Sequence, residues 1–531
     1  MLYLYVLAPI LVGLLAYILR RNQSASFVLV LFQALDTLAV VGLFWQVRQT
    51  GTIVNNIGGW PDGMAITLYV DQLAAAMLLM TSILFLFFIL FSYKQNYFTA
   101  QFFFLFMVLQ GLLNGLFLTN DLFNIFVLLE VSTVTVSVLI MFNKEKQAIY
   151  DGMIYFFVNV IGSAFLLFGI GFIYKTFGLL DIRAIGQSME LVENSRAVII
   201  PYALMFTTLS LKTAVMPLFS WLPKAHGTPS APPVVSAFLS GLYIKIGVYL
   251  SIRFSDMFGS AIDMQNFFFV LGFFTSVIGF VLALSQKDIK LILAYHTVSQ
   301  VGLIIVALNM DSEIAFWGGV YHIFNHALFK SALFLTAGLI YNVYGTRNVY
   351  EIRGVMRKMP LVGVATLFAI LGITGAPFFN GSLSKYMIAH GTNSPVVAAM
   401  LNLINLGTIT SFVKYSTMLF GRDTGKEANL DRYSQWSALG LGIMSLLTGV
   451  FGRQTIRLLF DYSLTVSQAE YFQKGVVYFV MIAAAVLLYR GPVKNSKLLN
   501  KAGAIEFTFN GTITAVALYF VGLLGFLLVT V

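Results

Sequence analysis

The chain has 531 residues, of which 59% are hydrophobic and 10% are charged. Soluble domains carry about 25% charged residues, so this composition excludes a soluble globular protein and predicts an integral membrane protein. Apolar runs of about 20 residues recur, as in membrane-spanning helices, and nothing in the pattern resembles the short alternating segments of an outer-membrane barrel. Cysteine is absent, which excludes disulfides, thiolate-bound zinc and protein-ligated iron–sulfur clusters. Redox chemistry would therefore lie on another chain.

The hydropathy pattern predicts sixteen membrane spans. The first begins at the N-terminus and is interpreted as a span, because a basic leader and a clear small-residue cleavage site are missing. The predicted spans are 2–20, 27–47, 71–92, 100–119, 121–142, 151–174, 197–220, 230–252, 264–285, 289–308, 313–341, 360–389, 395–420, 433–452, 474–490 and 511–530.

Positive charge is distributed unequally between the loops on the two sides. Loops after the odd-numbered spans through span 13 hold fifteen Lys and Arg residues, whereas loops after even-numbered spans 2 to 12 hold five. Because positively charged loops remain in the cytoplasm, both termini are predicted to lie outside the cell membrane. Arg453 and Arg457, after span 14, are exceptions. This asymmetry explains the net charge of +10, which therefore does not indicate nucleic-acid binding.

Five lysines lie inside predicted spans, where a charged side chain costs about 2.5–3.5 kcal/mol or more. Such residues face protein or water and have partners, which is typical of an ion or proton path. Lys212 lies five residues before Pro217, which must break or kink its helix. One of the five is a weaker candidate because it lies near a span end, where a lysine can snorkel to the surface. The five are Lys212, Lys245, Lys330, Lys385 and the weaker candidate Lys414.

One acid, Glu130, is placed deep in a span, about 12 residues or roughly 18 Å from the cytoplasmic end. We expect Glu130 to pair with Lys212. The alternative is a structural salt bridge, but the excess of buried lysines and the broken helix beside Lys212 favour a functional pair. A pair that opens when a neighbouring lysine changes charge would shift proton affinity by several pKa units, and so could push a proton.

Histidines add a second group of titratable side chains. His322, His326 and Lys330 share one helix face at spacings of four residues, and histidine relays protons near physiological pH. A metal site is the alternative for His-x3-His, but the Glu of the H-E-x-x-H motif is missing, and a satisfied core histidine is another. His296 lies in the run Tyr295–Gly302, whose polar groups either bridge to the lysines or serve helix packing. No metal and no cofactor are predicted.

Two stretches of the chain have matching features. Spans 4–8 and 9–13 form two five-helix units that enter the membrane from opposite sides. Lys212 precedes Pro217 in span 7, and Lys385 follows Gly375-Ala-Pro377 in span 12. Interrupted helices at matching places indicate a transport site near the membrane middle. The predicted domains are residues 1–99 (spans 1–3), 100–253 (first inverted unit), 264–421 (second inverted unit) and 433–531 (spans 14–16).

These residues resemble a known family, the antiporter-like subunits of Mrp-type cation/proton antiporters, respiratory complex I and membrane-bound hydrogenases, and among these the D-type Mrp chain most. The resemblance implies an all-α polytopic protein with a fourteen-helix core, two inverted five-helix repeats and broken helices 7 and 12. Spans 15 and 16 would be about two extra C-terminal helices. Lys224 departs from the family motif, which often has Asp there. The resemblance rests on the Glu130 helix, Leu211–Pro223, Pro232–Gly247, Tyr295–Gly302 and His322–Lys330.

The resemblance further implies that Glu130, Lys212, Lys245 and Lys385 occupy the family's key positions, with the His322–Lys330 run at the centre. We therefore expect a proton-translocating subunit of a multisubunit Na⁺/H⁺ antiporter, with other membrane subunits as partners and no catalytic centre of its own. The main alternative is a proton-pumping subunit of a redox complex. An energy-coupling subunit for inorganic-carbon uptake and a single-chain transporter are further alternatives. Sodium is expected to pass mainly elsewhere in the complex.

Overall fold

The computed structural model describes residues 1–19, 25–61, 65–192, 194–227, 231–422, 428, 430–465 and 467–530. Within these ranges the chain is helical apart from loops, isolated bridges and one antiparallel hairpin, β1 (Ile53–Asn56) with β2 (Thr67–Val70). Three of the basic residues counted for the orientation, Arg20, Arg21 and Lys426, lie outside the described residues.

The helices are, in chain order, α1 (Leu4–Ile18), α2 (Ala25–Thr50), α3 (Gln72–Ser92), α4 (Ala100–Leu118), α5 (Leu122–Ile140), α6 (Lys146–Phe177), α7 (Ile182–Met189), α8 (Ile199–Lys212), α9 (Trp221–Gly227), α10 (Pro233–Phe238), α11 (Ile244–Phe258), α12 (Gln265–Ser285), α13 (Ile289–Leu308), α14 (Glu313–Tyr344), α15 (Val355–Lys358), α16 (Pro360–Thr374), α17 (Asn380–His390), α18 (Pro395–Ser416), α19 (Arg432–Val450), α20 (Gly452–Phe460), α21 (Gln468–Leu488), α22 (Lys497–Gly503) and α23 (Phe509–Thr530). Short 3₁₀ turns cover Ile57–Gly59, Ser195–Val198 and Leu218–Ser220, and π turns cover Leu239–Tyr243 and Tyr489–Val493.

Twelve stretches of the described chain are helical, long and apolar enough to cross a membrane, and α19 with α20, bent by 90°, makes a thirteenth. Three predicted spans are absent from that set. They correspond to the short apolar helix α1 and to two interrupted stretches, α8 with α9 and α16 with α17. Every one of the sixteen predicted spans therefore falls on helix. The prediction of an all-α, multi-pass membrane protein is confirmed.

Polar side chains begin many of these helices. The side-chain oxygen of the residue before the helix accepts a backbone N–H that no helical carbonyl can reach, which stabilises a helix start by about 1 kcal/mol. This capping explains why apolar runs become helices at defined residues. Caps of this kind are made by Asp71, Thr99, Asp121, Asp288 and Ser312.

One ion pair attaches the start of α3 to the end of α11. Arg253 donates from Nη1 to Asp71 Oδ2 at 2.7 Å and from Nη2 to Asp71 Oδ1 at 2.6 Å. Burial alone would raise the pKa of the Asp71 carboxyl, but the hydrogen bonds and charge of Arg253 outweigh it and hold that pKa below its usual value. The pair ties the N-terminal helices to the unit that carries Lys212 and Lys245.

The last two membrane helices each cover one of the interrupted stretches. On α23, the Tyr519 hydroxyl lies 2.7 Å from Ser210 Oγ, and Thr512 Oγ1 lies 2.7 Å from Ser220 Oγ. Ser210 and Ser220 lie on opposite sides of the interruption that follows Lys212. The α23 helix therefore bridges the first interruption.

The α21 helix bridges the second interruption, between α16 and α17. The Tyr478 hydroxyl lies 2.9 Å from Thr374 Oγ1, at the end of α16. The Tyr471 hydroxyl accepts from Phe378 N at 3.2 Å and lies 3.1 Å from Ser382 Oγ, in the first turn of α17. Because these tyrosines bond both sides of the gap, the two C-terminal helices hold in place the ends that carry buried lysines.

Candidate functional site

The first interruption, residues 213–217, ends α8 directly after Lys212. Ala214 takes a left-handed conformation with φ 53°, which is unfavourable for a residue with a Cβ, and Pro217 cannot donate to a helical carbonyl. Trp221 Nε1 donates to the carbonyl of Leu211 at 2.9 Å, so one of the carbonyls freed at the helix end is satisfied inside the protein. The interruption places the Lys212 ammonium at the negative end of the α8 dipole.

Lys212 is 3% exposed, and its Nζ donates to Thr133 Oγ1 at 2.9 Å. The Tyr243 hydroxyl lies 3.3 Å from the same Thr133 oxygen and 3.2 Å from Ser132 Oγ. Hydroxyl groups both donate and accept, so this cluster can pass a proton between α8, α5 and the segment that leads to Lys245.

The predicted ion pair between Glu130 and Lys212 is wrong for this structure. Glu130 Oε1 is buried and has no hydrogen-bond partner within the described chain, and Lys212 Nζ bonds Thr133 instead. Thr133 lies three residues after Glu130, so the two side chains are neighbours about one helical turn apart. The Lys212 ammonium therefore bonds the Thr133 hydroxyl, one turn further along α5, and does not bond the Glu130 carboxylate.

Lys245 follows a π turn, Leu239–Tyr243, in the middle of a membrane-crossing stretch. A π turn displaces a carbonyl from its normal helical partner, and here Lys245 Nζ donates to the carbonyl of Ser240. Lys245 Nζ also lies 2.5 Å from His326 Nδ1. Both side chains are fully buried, and this contact joins the predicted first unit to the second.

His322, His326 and Lys330 share one face of α14, as predicted, and all three side chains are completely buried. Lys330 Nζ donates to the carbonyl of Leu293 on α13 at 2.6 Å. The two ring nitrogens of His322 have different partners. Nδ1 lies 2.8 Å from Ser384 Oγ on α17, and Nε2 lies 3.1 Å from Gln300 Oε1 on α13. Together with the Lys245 contact of His326, the α14 face therefore bonds three other segments through polar atoms.

His296 is buried on α13, but neither ring nitrogen has a hydrogen-bond partner among the described residues. Its ring centroid lies 4.8 Å from that of Phe412. Gln300, in the same sequence run, bonds His322 and not a lysine, and its Nε2 donates to Thr408 Oγ1 at 3.3 Å. In the part of the chain that the structure describes, no three His, Cys, Asp or Glu side chains form a group that could hold a metal.

The second interruption, residues 375–379, separates α16 from α17. Gly375 at φ 80° and Phe378 at φ 70° are left-handed, so this break, like the first, contains a residue with a side chain in an unfavourable backbone conformation. Lys385 Nζ donates to the carbonyl of Ile373 at 2.7 Å and to Asn405 Oδ1 at 2.9 Å. Each interruption thus holds one ammonium near a helix C-terminus, buried in the case of Lys212 and partly buried in the case of Lys385.

Lys414 does not snorkel to the surface. It is 2% exposed, and its Nζ donates to the carbonyls of Leu284, at 2.8 Å, and Gln286. These carbonyls lie at the C-terminal end of α12, where the helix leaves acceptors unpaired and the dipole attracts a cation. Lys414 is therefore bound to the helix end rather than to the other titratable residues.

A row of five titratable side chains, which we call the buried polar row, runs from α8 to α17. Its members are Lys212, Lys245, His326, His322 and Lys385. Individual members of this row bond hydroxyl and amide groups that the sequence predictions did not include. The signal that could have revealed them is the run of Ser and Thr on α5 beside Glu130, and the polar positions on α17 and α18 beside Lys385. The groups that bond members of the row are Thr133, Gln300, Ser384 and Asn405, and the Tyr243 hydroxyl lies next to that of Thr133.

A second group that sequence reasoning missed lies next to Lys385. A cavity of about 90 Å³ is lined by Lys385, Tyr386, Lys474 and other residues of α17, α18 and α21, and it has room for several waters. Tyr386 donates to Glu470 Oε2 at 2.6 Å, and His390 Nδ1 lies 3.8 Å from the same oxygen. Glu470 and His390 are about half exposed, so this cluster joins the row to one membrane face.

His226, on α9, is a further titratable group that the sequence predictions do not include. It is completely buried, and both ring nitrogens lack a partner among the described residues. Its ring stacks on Phe334 with centroids 4.6 Å apart, and Phe334 follows Lys330 by one turn on α14. His226 therefore places an imidazole next to the end of the α14 face.

Comparison with known proteins identifies the family to which the chain belongs. The family described as NADH:quinone oxidoreductase/Mrp antiporter, TM, matches residues 119–413, which contain the buried polar row. The D-type subunit of the Na(+)/H(+) antiporter of Alkalihalophilus pseudofirmus is 28% identical over 439 residues, covering 80% of this chain and 88% of that protein.

Two solved structures share the fold. A chain of the Mrp complex from Dietzia sp. DQ12-45-1b superposes with a TM-score of 0.80 at 24% identity, covering 95% of this chain and 99% of that one. A chain of respiratory complex I from Thermus thermophilus superposes with a TM-score of 0.76 at 21% identity, covering 91% and 100%. The family match spans more than half of the sequence. The chain belongs to the NADH:quinone oxidoreductase/Mrp antiporter transmembrane family.

Proposed function

We propose that this chain is the proton-translocating membrane subunit of a multisubunit Na⁺/H⁺ antiporter of the Mrp type. The observation that carries the proposal is the contact between Lys245 Nζ and His326 Nδ1, 2.5 Å apart and fully buried. In a hydrogen bond between an amine and an imidazole nitrogen, one nitrogen must present a lone pair to the other, so a proton can move between them. Proton transfer between the two units is what a lateral path through the membrane middle requires.

The row supplies the rest of the path. On one side of the central pair, Tyr243 and Thr133 lead to Lys212. On the other side, His322 and Ser384 lead to Lys385, which follows Ser384 directly. His326 Nε2 has no partner in the described chain, which leaves it available for a water. We propose Glu130, Lys330 and His296 as groups that set the charge around this path, and Lys414 as a helix-end ligand.

Charge repulsion would make the transfers sequential. Several ammonium groups in a low-dielectric interior raise one another's free energy, so a proton that arrives at one lysine favours release from the next. Glu130 is the acid beside this row, and its position next to Thr133 lets it stabilise Lys212 when that lysine is charged. A proton would leave or enter by Glu470, which is half exposed beside the Lys385 end of the row.

Partners and location follow from the same proposal. The relatives named above are a subunit of an antiporter and a chain of an Mrp complex, so we propose that this chain assembles with other membrane subunits in the cell membrane. We propose that both termini lie outside, and that sodium crosses mainly in another subunit. A role in a redox complex is the second candidate, supported by the fold shared with complex I.

Inside-out membrane vesicles containing the whole complex test this function. A sodium pulse should drive proton movement that a pH-sensitive dye reports. Lys212→Ala should abolish that movement while the complex remains assembled in the membrane. Lys175→Ala, which removes an exposed lysine at the end of α6, is the control and should transport normally. Full sodium-driven proton movement in Lys212→Ala vesicles would contradict the proposal.

A further inference from the structure

A second membrane-embedded acid, Asp36, lies in α2, a span for which the sequence predicts no titratable site. It is 7% exposed and follows the start of α2 by eleven residues, or about 16 Å of helix, so it lies near the middle of the span. Its Oδ2 accepts from Gln110 Nε2 on α4 at 2.9 Å. Within the described residues no Lys, Arg or His forms an ion pair with Asp36. An intramembrane carboxylate without a countercharge indicates a functional site.

Three buried amide side chains lie on the same helices as this acid or on the helix that it bonds. Gln33 precedes Asp36 by one turn on α2, and Asn114 follows Gln110 by one turn on α4. The side-chain nitrogens have partners, because Gln33 Nε2 donates to Ser82 O at 3.2 Å and Asn114 Nδ2 donates to Tyr5 O at 2.8 Å. The side-chain oxygens of Gln33, Gln110 and Asn114 are buried and accept from nothing in the described chain.

The cluster is held by close helix packing rather than by loops. On α4, a Cβ added at Gly111 would lie 2.5 Å from the carbonyl of Val6 on α1, so the helices approach as closely as glycine allows. Tyr5, on α1, donates from its hydroxyl to the carbonyl of Ala39 at 3.2 Å, one turn from Asp36. The acid and the amides therefore lie at the junction of α1, α2 and α4.

Buried amide oxygens without donors and a carboxylate without a countercharge are stabilised by a nearby cation. A buried acceptor without a donor destabilises the fold, so an arrangement with three of them is poor as packing alone. Carboxylate and amide oxygens are the ligands that hard cations prefer. The single negative charge matches a monovalent ion, whereas a divalent ion would leave a net charge of +1 in hydrocarbon.

We propose that Asp36, Gln33, Gln110 and Asn114 form a binding site for a monovalent alkali cation, separate from the buried polar row. The choice of sodium rests on the proposed function; the site itself rests on the oxygen cluster. The site lies outside residues 119–413, the part of the chain that the family match covers.

The test is thermal unfolding of the purified full-length chain in detergent, with choline replaced stepwise by sodium at constant ionic strength. A cation that binds the folded state alone should raise the unfolding midpoint of the wild type by at least about 3 °C at saturation. Asp36→Asn keeps the shape and the Gln110 contact but removes the charge, and it should lose this shift. Glu130→Gln removes another membrane acid and should keep it.

Two further measurements keep the test decisive. If Asp36→Asn does not fold, Asn114→Leu should fold and require several-fold more sodium for half of the shift. A potassium titration should give a smaller shift than sodium. No sodium shift in the wild type, or an equal shift in Asp36→Asn, would overturn the site. Proton movement driven by sodium in wild-type vesicles would then still support the proposed function, so the two can fail separately.

Discussion

The ammonium of Lys212 lies 2.9 Å from the hydroxyl of Thr133, and the carboxylate of Glu130 lies one helical turn away along the same helix. A lysine that bonds a hydroxyl can release its proton to a neutral partner, whereas a lysine locked to a carboxylate is held in its charged form. On the proposed path, this contact would direct transfer toward Tyr243, whose hydroxyl lies 3.3 Å from the same Thr133 oxygen.

Thr133→Val should impair transport without disturbing the fold. Valine has nearly the shape of threonine but cannot accept from Lys212, and a hydrogen bond to a charged group contributes about 1.5–3 kcal/mol, so the transport rate should fall roughly tenfold to a hundredfold. The measurement is sodium-driven proton movement in vesicles. Thr135→Val is the matched control, because Thr135 Oγ1 bonds the carbonyl of Val131 in its own helix. Equal rates in the two variants would contradict the assignment of Thr133.

Glu470→Gln should slow transport on the proposed path beside Lys385. Glutamine still accepts from Tyr386 but cannot take a proton, so the exit beside Lys385 loses its acceptor. Loss of about 1.4 kcal/mol of stabilisation at this step corresponds to a tenfold slower rate. Vesicle transport should be recorded over a range of pH. Asp461→Asn, at an exposed acid paired with Arg48, is the control and should give the wild-type profile.

Asp71→Asn should destabilise the protein at neutral pH and much less in acid. Breaking this partly buried, doubly hydrogen-bonded ion pair costs about 1.5–3 kcal/mol. The pKa of Asp71 lies below its value in the unfolded chain, so the pair stabilises the fold above about pH 4. That stabilisation is lost as the pH falls through the lowered pKa. Thermal unfolding midpoints of variant and wild type should therefore converge below about pH 4. A difference that stays constant with pH would contradict this assignment.

The sequence is sufficient to predict the helices and the titratable residues, because an apolar run of about 20 residues and a lysine within it have few physical explanations. Lys212, Lys245 and the α14 face are buried as expected. What sequence spacing cannot supply is contact between helices. Glu130 and Lys212 are natural partners by charge, but Lys212 donates its hydrogen bond to Thr133 instead.

Other features escape prediction because their cause lies in the fold. The π turn that exposes the Ser240 carbonyl to Lys245 depends on packing, and no residue of Leu239–Tyr243 predicts it. Glu470 falls in a predicted loop before span 15, although α21 begins at Gln468 and brings it to Tyr386. Asp36 is visible in the sequence but lies in a predicted span that has no lysine, so a search for paired charges does not select it.

The proposed path requires one proton to move between Lys245 and His326. The variant Lys245→Arg tests this transfer. Arginine keeps a positive charge but does not release its proton, because its pKa exceeds about 12. Sodium-driven proton movement in vesicles that contain the fully assembled Lys245→Arg complex should be abolished. Transport at the wild-type rate in that variant would show that charge alone is needed at this position and would contradict proton transfer through the pair.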